Sequence, residues 1–483
     1  MKKLFVFIII TTLLLSISLL FSCNSENTKT ENPVNQEEAA AVPAEQEAAV
    51  EDRNALDDLG EFDFKSYEYK ICQRVNRDYT NSFLDFAELT GDVYEDAVFM
   101  RNRKLEDRFN ITITVIEREF DQLISIVRSG VDDYDLYTIR GAEVFSFAQE
   151  GLINSIKDLP HIDLSKTYWD DFITNQLTVA NKKYFAVGAF EFSSYDYAYA
   201  LVFNKQLIQN YGLENPFDLV KSGKWTFDKF TEMAKAGTFE LNGDGKMDER
   251  DAWGYIARSH DVLPGFWVGA NVKAAEKDKD DLPYNTMGSE KFINVIDKIF
   301  DIIHGNDIYY NSFGPSIFAD GNVLFNDITL HQLKNLRAME TDFGILPYPK
   351  FDEIQKEYYT RLGGNTLFCT VKAASKEDLE RTSVILEAMA SESLKTCVPA
   401  YYDLMLKTKL ARDVESEEII DSIVTHRVVD FVDNLWVAEI RDGPLNDMFL
   451  KKNNTLVSLN EKLESIFNKK RDSMVEAFLE LAD

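Results

Sequence analysis

The feature that most constrains the fold is a regular alternation of strand-like and helix-like segments in the first part of the body. Residues 67–75, 110–116 and 134–139 have the alternating or continuous apolar patterns of strands. Between them, residues 94–109 and 120–128 carry apolar side chains at helical spacing. Strands that alternate with helices are joined by crossover connections, so the sequence predicts an α/β fold.

A short polar loop follows the third of these strands. Arg140 and Glu143 come directly after Ile139. In open α/β sheets, ligands collect at the carboxyl ends of the strands. The loop is therefore a candidate ligand-binding site, and the alternative is a solvated pair of surface charges.

Two later stretches have the pattern of passages between two lobes. One consists of residues 184–188 with residues 199–203, and the other of residues 343–349. The chain between them is richer in helical spacing, at residues 226–235, 290–304 and 330–339. A chain that leaves one lobe, builds a second and returns gives two lobes joined by hinge strands. This layout favours closure of the lobes over a ligand.

The N-terminal segment has the parts of a secretory signal peptide. Met1-Lys2-Lys3 is followed by a mostly apolar run that ends at Phe21, and Ser22 precedes Cys23. The pattern resembles a bacterial lipobox, in which the cysteine is acylated and becomes the new N-terminus, although Phe21 departs from it. We therefore predict that residues 1–22 are removed and that Cys23 carries lipid. The alternative is an uncleaved transmembrane anchor, because the run is close to the roughly 20 residues that a bilayer requires.

The segment that follows Cys23 is polar, rich in alanine and acidic. Residues 23–61 carry several pairs of neighbouring carboxylates and few large apolar side chains. Such a segment cannot bury enough apolar surface to offset its ordering entropy. We therefore expect a disordered acidic tether that holds the body away from a membrane, on its extracellular or periplasmic side.

The charge and cysteine content exclude several classes of protein. The formal net charge of −30 argues against nucleic acid and anionic membrane surfaces as partners. Beyond Cys23 there are three cysteines, Cys72, Cys369 and Cys397, and none lies near another in sequence. This is neither a disulfide framework nor a zinc-binding pattern.

Six short segments with familiar sequences follow one another along the body. They are Tyr134-Asp135-Leu136, Phe147-Ala148-Gln149-Glu150-Gly151-Leu152-Ile153, Ala200-Leu201-Val202-Phe203-Asn204-Lys205, Lys224-Trp225-Thr226-Phe227, Phe318-Ala319-Asp320-Gly321-Asn322-Val323-Leu324-Phe325 and Asp342-Phe343-Gly344-Ile345-Leu346-Pro347-Tyr348-Pro349-Lys350. In this order and spacing, the region from residue 67 to about residue 431 resembles the extracellular solute-binding proteins of bacterial ABC importers. Specifically, it resembles the maltose-binding-like family 1 lipoproteins.

The resemblance implies the type II periplasmic-binding-protein fold, with two lobes joined by hinge strands. Residues 62–197 and 344–405 would form lobe 1, and residues 198–343 and 406–483 would form lobe 2. It also implies a monomeric receptor without an enzymatic cofactor. Such a receptor binds a sugar or oligosaccharide and delivers it to the permease subunits of an ABC transporter at the cell membrane.

The resemblance and the chemistry of sugars together suggest the ligand-binding residues. Arg140 and Glu143 fall where the family contacts ligand in the first lobe, and Asn326 and Asp327 follow a strand at a similar place in the second. Sugar rings also stack on flat aromatic side chains among a few polar groups. The candidates for stacking are Trp169, Tyr195, Trp267 and Tyr402, and for each of them the alternative is a place in the core.

Residues 240–251 resemble a calcium-binding loop. The side-chain oxygens of five residues fall at ligand positions, the Lys246 carbonyl fills position seven and Gly245 occupies the turn. The five side chains are Glu240, Asn242, Asp244, Asp248 and Asp251. Glu240 replaces the usual aspartate, and Asp251 is shorter than the usual glutamate. The pattern predicts either a structural calcium site or a surface turn that binds no metal.

Two other functions are compatible with these features. One is a secreted carbohydrate-active enzyme, since carboxylates are abundant, although the sequence contains neither G-x-S-x-G nor H-E-x-x-H. The other is a binding protein that feeds a sugar sensor instead of a permease.

Overall fold

A computed structural model describes residues 56–74, 83–312 and 315–480. The predicted signal peptide, the lipidation site Cys23 and the tether up to residue 55 lie outside the described residues. Within the described ranges, no helix combines the length and apolarity needed to cross a membrane. The described residues belong to one compact unit.

A first sheet contains the strands predicted at the start of the body. It comprises β1 (Tyr67–Arg74), β2 (Ile111–Arg118), β3 (Leu136–Arg140) and β12 (Thr366–Cys369), in the order β12-β3-β1-β2. β1 is parallel to β2 and β3, whereas β12 is antiparallel to β3. The prediction of alternating strands and helices is confirmed here.

A second sheet repeats this arrangement. It comprises β4 (Tyr199–Asn204), β5 (Trp253–Ala257), β8 (Tyr309–Asn311), β9 (Val323–Thr329) and β10 (Phe343–Leu346), in the order β10-β4-β9-β5-β8. β5 is parallel to β8 and β9, and β4 runs antiparallel to β9. In both sheets, therefore, three parallel strands are followed by an antiparallel strand from another part of the chain, β12 in the first and β4 in the second. In the second sheet, β10 then pairs antiparallel with β4 and forms the edge.

The remaining elements cover these sheets. Two small sheets pair β6 (Ala275–Lys277) with β7 (Pro283–Asn285) and β11 (Thr360–Arg361) with β13 (Arg427–Val428). The α-helices are α1 (Val93–Phe109), α2 (Phe120–Ser129), α3 (Gly141–Gln149), α4 (Asp171–Gln176), α5 (Ser193–Asp196), α6 (Lys205–Asn210), α7 (Pro216–Lys221), α8 (Phe227–Ala236), α9 (Ser259–Gly269), α10 (Glu290–Ile303), α11 (Pro315–Ala319), α12 (Lys376–Lys395), α13 (Val414–Thr425), α14 (Phe431–Asn434), α15 (Asn446–Leu450) and α16 (Leu456–Glu480). Short 3₁₀ helices span Ile156–Asp158 and Leu330–Leu336, and π-helical segments span Pro399–Leu410 and Val437–Leu445.

Local chemistry explains where the first helix begins and ends. The Asp92 carboxylate accepts hydrogen bonds from the backbone N–H groups of Tyr94 and Glu95, at 2.9 and 3.3 Å. This N-cap satisfies donors that have no partner within the helix. At the other end, Asn110 adopts a left-handed conformation with φ of 50°, which stops the helix one residue before β2.

Three passages of the chain lie side by side between the two sheets. Ala198 bridges Leu362 in antiparallel fashion, and the Gly363 N–H donates to the Tyr197 carbonyl at 3.0 Å. On the other side, the Leu362 N–H donates to the Val428 carbonyl at 3.0 Å. These paired passages are the hinge strands that join the sheet of lobe 1 to the sheet of lobe 2.

The hinge passage at Ala198 lies between residues 184–188 and residues 199–203 of the first predicted crossing, and the passage at Leu362 lies beyond residues 343–349 of the second. Residues 184–188 form no strand, and only an isolated bridge joins Gly188 to Trp169. β10 pairs with β4 in the second sheet. The predicted lobe boundary after residue 343 therefore falls inside β10, which spans Phe343–Leu346. Both stretches are apolar because they are buried, and apolarity alone does not distinguish a crossing from a core segment.

Candidate functional site

The junction between β3 and α3 forms the first rim of the candidate site. Arg140 ends the strand and Gly141 begins the helix without an intervening loop. The Arg140 Nε donates to Glu143 Oε2 at 2.8 Å, and a second guanidinium nitrogen pairs with the other carboxylate oxygen. Glu143 raises the pKa of Arg140 by this pairing, so the two predicted residues form a fixed ion pair.

The junction between β5 and α9 forms a second rim, in the second lobe. The Arg258 Nε donates to Asp261 Oδ2 at 2.7 Å, and His260 lies beside the same carboxylate. Burial, together with the positive charges of Arg258 and Arg441, lowers the pKa of His260. The imidazole of His260 is therefore neutral at pH 7. The second rim resembles the first because in each an arginine at the end of a strand pairs with a carboxylate three residues later in the following helix.

The segment Val437–Leu445 supplies a third rim. The Arg441 Nε donates to Asp442 Oδ1 at 2.7 Å, and Arg441 Nη1 donates to Asp433 Oδ1 at 2.8 Å. Burial acts to lower the pKa of Arg441, but Asp433 and Asp442 outweigh it and raise the pKa. Asp442 lines the same cavity as Arg140 and Glu143, and Arg361 bridges Asp433 to Asp261, so the third rim adjoins both of the others.

A buried ionic cluster at the hinge supports the second and third rims. Arg361, in β11, is only 1% exposed. Its Nη1 donates to Asp261 Oδ1 at 2.6 Å, and its Nε and Nη2 donate to the two oxygens of Asp433 at 2.7 and 2.8 Å. Burial acts to raise the pKa of Asp261, but Arg361 and Arg258 hold it below its usual value. The cluster thus keeps both carboxylates charged and in position.

A cavity of about 450 Å³ lies between the first rim, the third rim and α16. Its walls mix charged and amide side chains with apolar and aromatic ones, as in small-molecule sites of this size. The lining residues include Arg128, Arg140, Glu143, Phe147, Gln149, Trp436, Glu439, Asp442, Lys470 and Met474. The structure therefore brings the predicted pair Arg140 and Glu143 to a cavity, where they meet residues that come from far along the chain.

Asn326 and Asp327 lie within β9 and not after a strand as predicted, because the strand continues to Thr329, and both are buried. Their exposed fractions are 0% and 8%. Burial and the neighbouring Asp261 raise the pKa of Asp327. Neither residue lines the cavity of about 450 Å³. Their role in ligand binding stays a prediction.

Two of the predicted stacking residues lie in the core instead of the site. Trp169 is 2% exposed, and its Nε1 donates to the buried carboxylate of Glu387 at 2.9 Å. Trp267 is fully buried, and its ring packs 5.5 Å from that of Phe292. We correct both predictions, because neither ring has a face open to a ligand in this structure.

Tyr195 and Tyr402 come together, but away from the cavity. Their ring centroids are 5.5 Å apart, and Arg427 lies 5.1 Å from the Tyr195 ring. The Tyr402 hydroxyl donates to Asp421 Oδ1 at 2.5 Å. Both rings are half-buried beside the hinge and pack against each other at an angle of 38°. Contact of either ring with a ligand stays a prediction.

Several residues of the rims were not predicted from the sequence. Arg258, His260 and Asp261 follow a strand just as Arg140 does, and recognition of residues 253–257 as a strand would have revealed them. Arg441 and Asp442 carry no such signal, because they belong to a π-helical segment of the C-terminal region. Only the folded chain brings them to the cavity.

The calcium-like loop is held by its own side chains and backbone. The Arg250 guanidinium contacts Asp244 Oδ2 at 3.0 Å and Asp248 Oδ2 at 2.5 Å. Both oxygens of Asp251 accept backbone N–H groups, from Leu241 and Asp248, at 2.8 Å. Among the described residues, no group of three or more acidic, histidine or cysteine side chains is arranged to hold a metal ion. Calcium binding by this loop stays a prediction, and it requires Arg250 to move away from the two carboxylates.

Comparison with known proteins identifies the fold. No protein-family model matches the sequence, and no curated protein is detectably similar to it. An ABC substrate-binding protein from Listeria monocytogenes, in complex with cycloalternan, superposes with a TM-score of 0.56 and 13% identity, covering 84% of this chain and 99% of that one. This chain has the two-lobed fold of ABC-transporter substrate-binding proteins.

Other solved structures share this substrate-binding fold. A cyclo/maltodextrin-binding protein complexed with maltotetraose matches with a TM-score of 0.55 and 13% identity, over 87% of this chain and 98% of that one. UgpB from Mycobacterium tuberculosis, in complex with glycerophosphocholine, matches with a TM-score of 0.54 and 14% identity, over 86% and 99%. The three solved structures share one fold with this chain, which agrees with the type II architecture predicted from the sequence.

Proposed function

We propose that the protein captures a sugar or oligosaccharide between its two lobes and delivers it to the permease of an ABC transporter. The observation that carries the proposal is the cavity of about 450 Å³, which opens at the carboxyl end of β3 in the substrate-binding fold. Planar guanidinium and carboxylate groups at its rims suit hydroxyl pairs on a sugar, and the half-buried side chains of Ile124, Leu435 and Val437 supply apolar surface. Structural neighbours that carry carbohydrate support the same ligand class.

The proposal is tested by thermal unfolding of the protein with a panel of mono-, di- and oligosaccharides. We expect at least one sugar to raise the melting temperature, because a ligand that binds only the folded state stabilises it by mass action. Arg140→Ala should weaken the affinity for that sugar about tenfold or more, since it removes a charged donor from the rim.

Two controls accompany this measurement. Arg337→Ala removes an exposed arginine elsewhere and should leave sugar affinity unchanged. Chromatography of the stabilising sugar after prolonged incubation should recover it intact. Conversion to a product would instead support the carbohydrate-active enzyme, and absence of stabilisation by every sugar would contradict the proposed function. A further assay distinguishes delivery to a permease from delivery to a sensor. If the sugar-loaded protein stimulates the ATPase activity of a reconstituted ABC transporter, it delivers sugar to a permease, and absence of stimulation would favour the sensor.

We also propose that the receptor is held at the cell membrane by lipid on Cys23. The support is the signal-peptide and lipobox-like sequence, followed by the acidic segment up to residue 61. A receptor that remains near its permease can rebind solute and dock repeatedly. Cys23→Ala should move the full-length protein from the membrane fraction to the soluble fraction after cell lysis. Retention of the variant in the membrane would favour the uncleaved transmembrane anchor.

A further inference from the structure

Every basic side chain that lines the cavity is already paired with a carboxylate. In the described part of the chain these side chains are Arg128, Arg140 and Lys470. The Arg128 Nη2 donates to Glu150 Oε1 at 2.8 Å, Arg140 pairs with Glu143, and Lys470 pairs with Glu439. No cation at the cavity wall is therefore left to balance the charge of an anionic ligand.

The acidic side chains of the wall are balanced in the same way. Glu143 and Glu439 are the partners just described, and Asp442 holds the Nε of Arg441 at 2.7 Å. A carboxylate oxygen has two lone pairs, so each oxygen that accepts from a guanidinium can still accept from a ligand hydroxyl. The cavity thus offers hydrogen-bond acceptors and donors in quantity, but no net charge.

We infer that the ligand of this cavity is an uncharged saccharide or polyol and not a uronic acid or a sugar phosphate; this inference rests on the proposed function. An anion at this wall would meet no unpaired cation, and the carboxylates that already hold Arg140, Arg128 and Lys470 would repel it. The three pairs are partly exposed, so the preference comes from this balance of charge and not from a cost of breaking buried pairs. A hydroxyl group, in contrast, adds to the existing pairs without breaking them. Because the protein's own carboxylates already pair with the cations of the cavity wall, the cavity disfavours anionic ligands.

Matched neutral and anionic probes test the inference directly. Calorimetric titration with glucose and glucuronate, galactose and galacturonate, and maltose and maltose 1-phosphate compares ligands that differ mainly in charge. We expect the neutral member of at least one pair to bind, and its anionic partner to bind at least tenfold more weakly. Tighter binding of the anionic members would overturn the inference while leaving sugar capture intact. Absence of binding by both members of every pair would contradict the proposed function, and the inference with it.

A single substitution should change this preference. Glu143→Gln keeps the shape of the side chain but removes the charge that neutralises Arg140. We expect the variant to bind the anionic partner of the best neutral probe about tenfold more tightly than the natural protein does, because Arg140 can then form a charge-assisted hydrogen bond with it. Glu418→Gln is the matched control, since Glu418 forms an exposed pair with Lys221 at 3.6 Å and should change neither affinity. Unchanged anion affinity in a folded Glu143→Gln variant would overturn the inference.

Discussion

Replacement of Arg361 by methionine should lower the free energy of unfolding by about 3–5 kcal/mol. Arg361 is 1% exposed and makes three charged hydrogen bonds, one to Asp261 and two to Asp433. Methionine retains the apolar stem but leaves both buried carboxylates short of a partner. Arg258 and Arg441 still contact one carboxylate each, so we expect the lower half of this range.

The free energy of unfolding in urea, measured for Arg361→Met and for two comparison variants, tests this expectation. Arg471→Met removes a surface arginine that pairs with Asp472, and such exposed pairs contribute roughly 0–1 kcal/mol. The double variant Arg361→Met with Asp433→Leu should recover part of the lost stability. It also removes the Asp433 carboxylate, which Arg361→Met alone leaves buried and short of hydrogen-bond donors. Equal destabilisation by Arg361→Met and Arg471→Met would show that the cluster does not stabilise the hinge.

Replacement of Phe478 by alanine should release the end of α16 from the first lobe. Phe478 is fully buried, and its ring centroid lies 4.5 Å from that of Tyr184 and 5.6 Å from that of Phe145. Truncation of a buried phenylalanine typically costs about 3–5 kcal/mol. Because Phe478 lies in the last turn of its helix, we expect this cost to appear as local undocking rather than as global unfolding.

Amide hydrogen exchange along α16 measures this undocking. Protection of residues 470–480 should fall by about a hundredfold or more in Phe478→Ala, given about 1.4 kcal/mol for each tenfold change. Leu479→Ala is the matched control, because Leu479 is next in sequence but 48% exposed, and it should change protection little. Lys470 and Met474 line the cavity, so a bound sugar should dissociate faster from Phe478→Ala. Equal protection in both variants would contradict the anchoring role of Phe478.

Local sequence patterns were sufficient to predict the elements of the first lobe. Helix α1 begins at its aspartate cap and carries apolar side chains at helical spacing, and β2 alternates, so both were found to within one or two residues. Arg140 and Glu143 were found for the same reason. The end of a strand is a local property of the sequence, and in α/β sheets that end is where ligands collect.

Only the tertiary structure decided which of the many aromatic and charged residues meet at the site. Trp169 and Trp267 are indistinguishable from stacking residues in sequence, yet other segments bury both rings completely or nearly so. The cluster around Arg361 joins residues 261, 361, 433 and 441, and the cavity adds residues of α16. Hydrophobic periodicity encodes which side of an element is buried, but not which distant element covers it. The sequence alone therefore determined the α/β architecture and one rim of the site, whereas packing of the C-terminal region against the first lobe decided its other walls and its balance of charge.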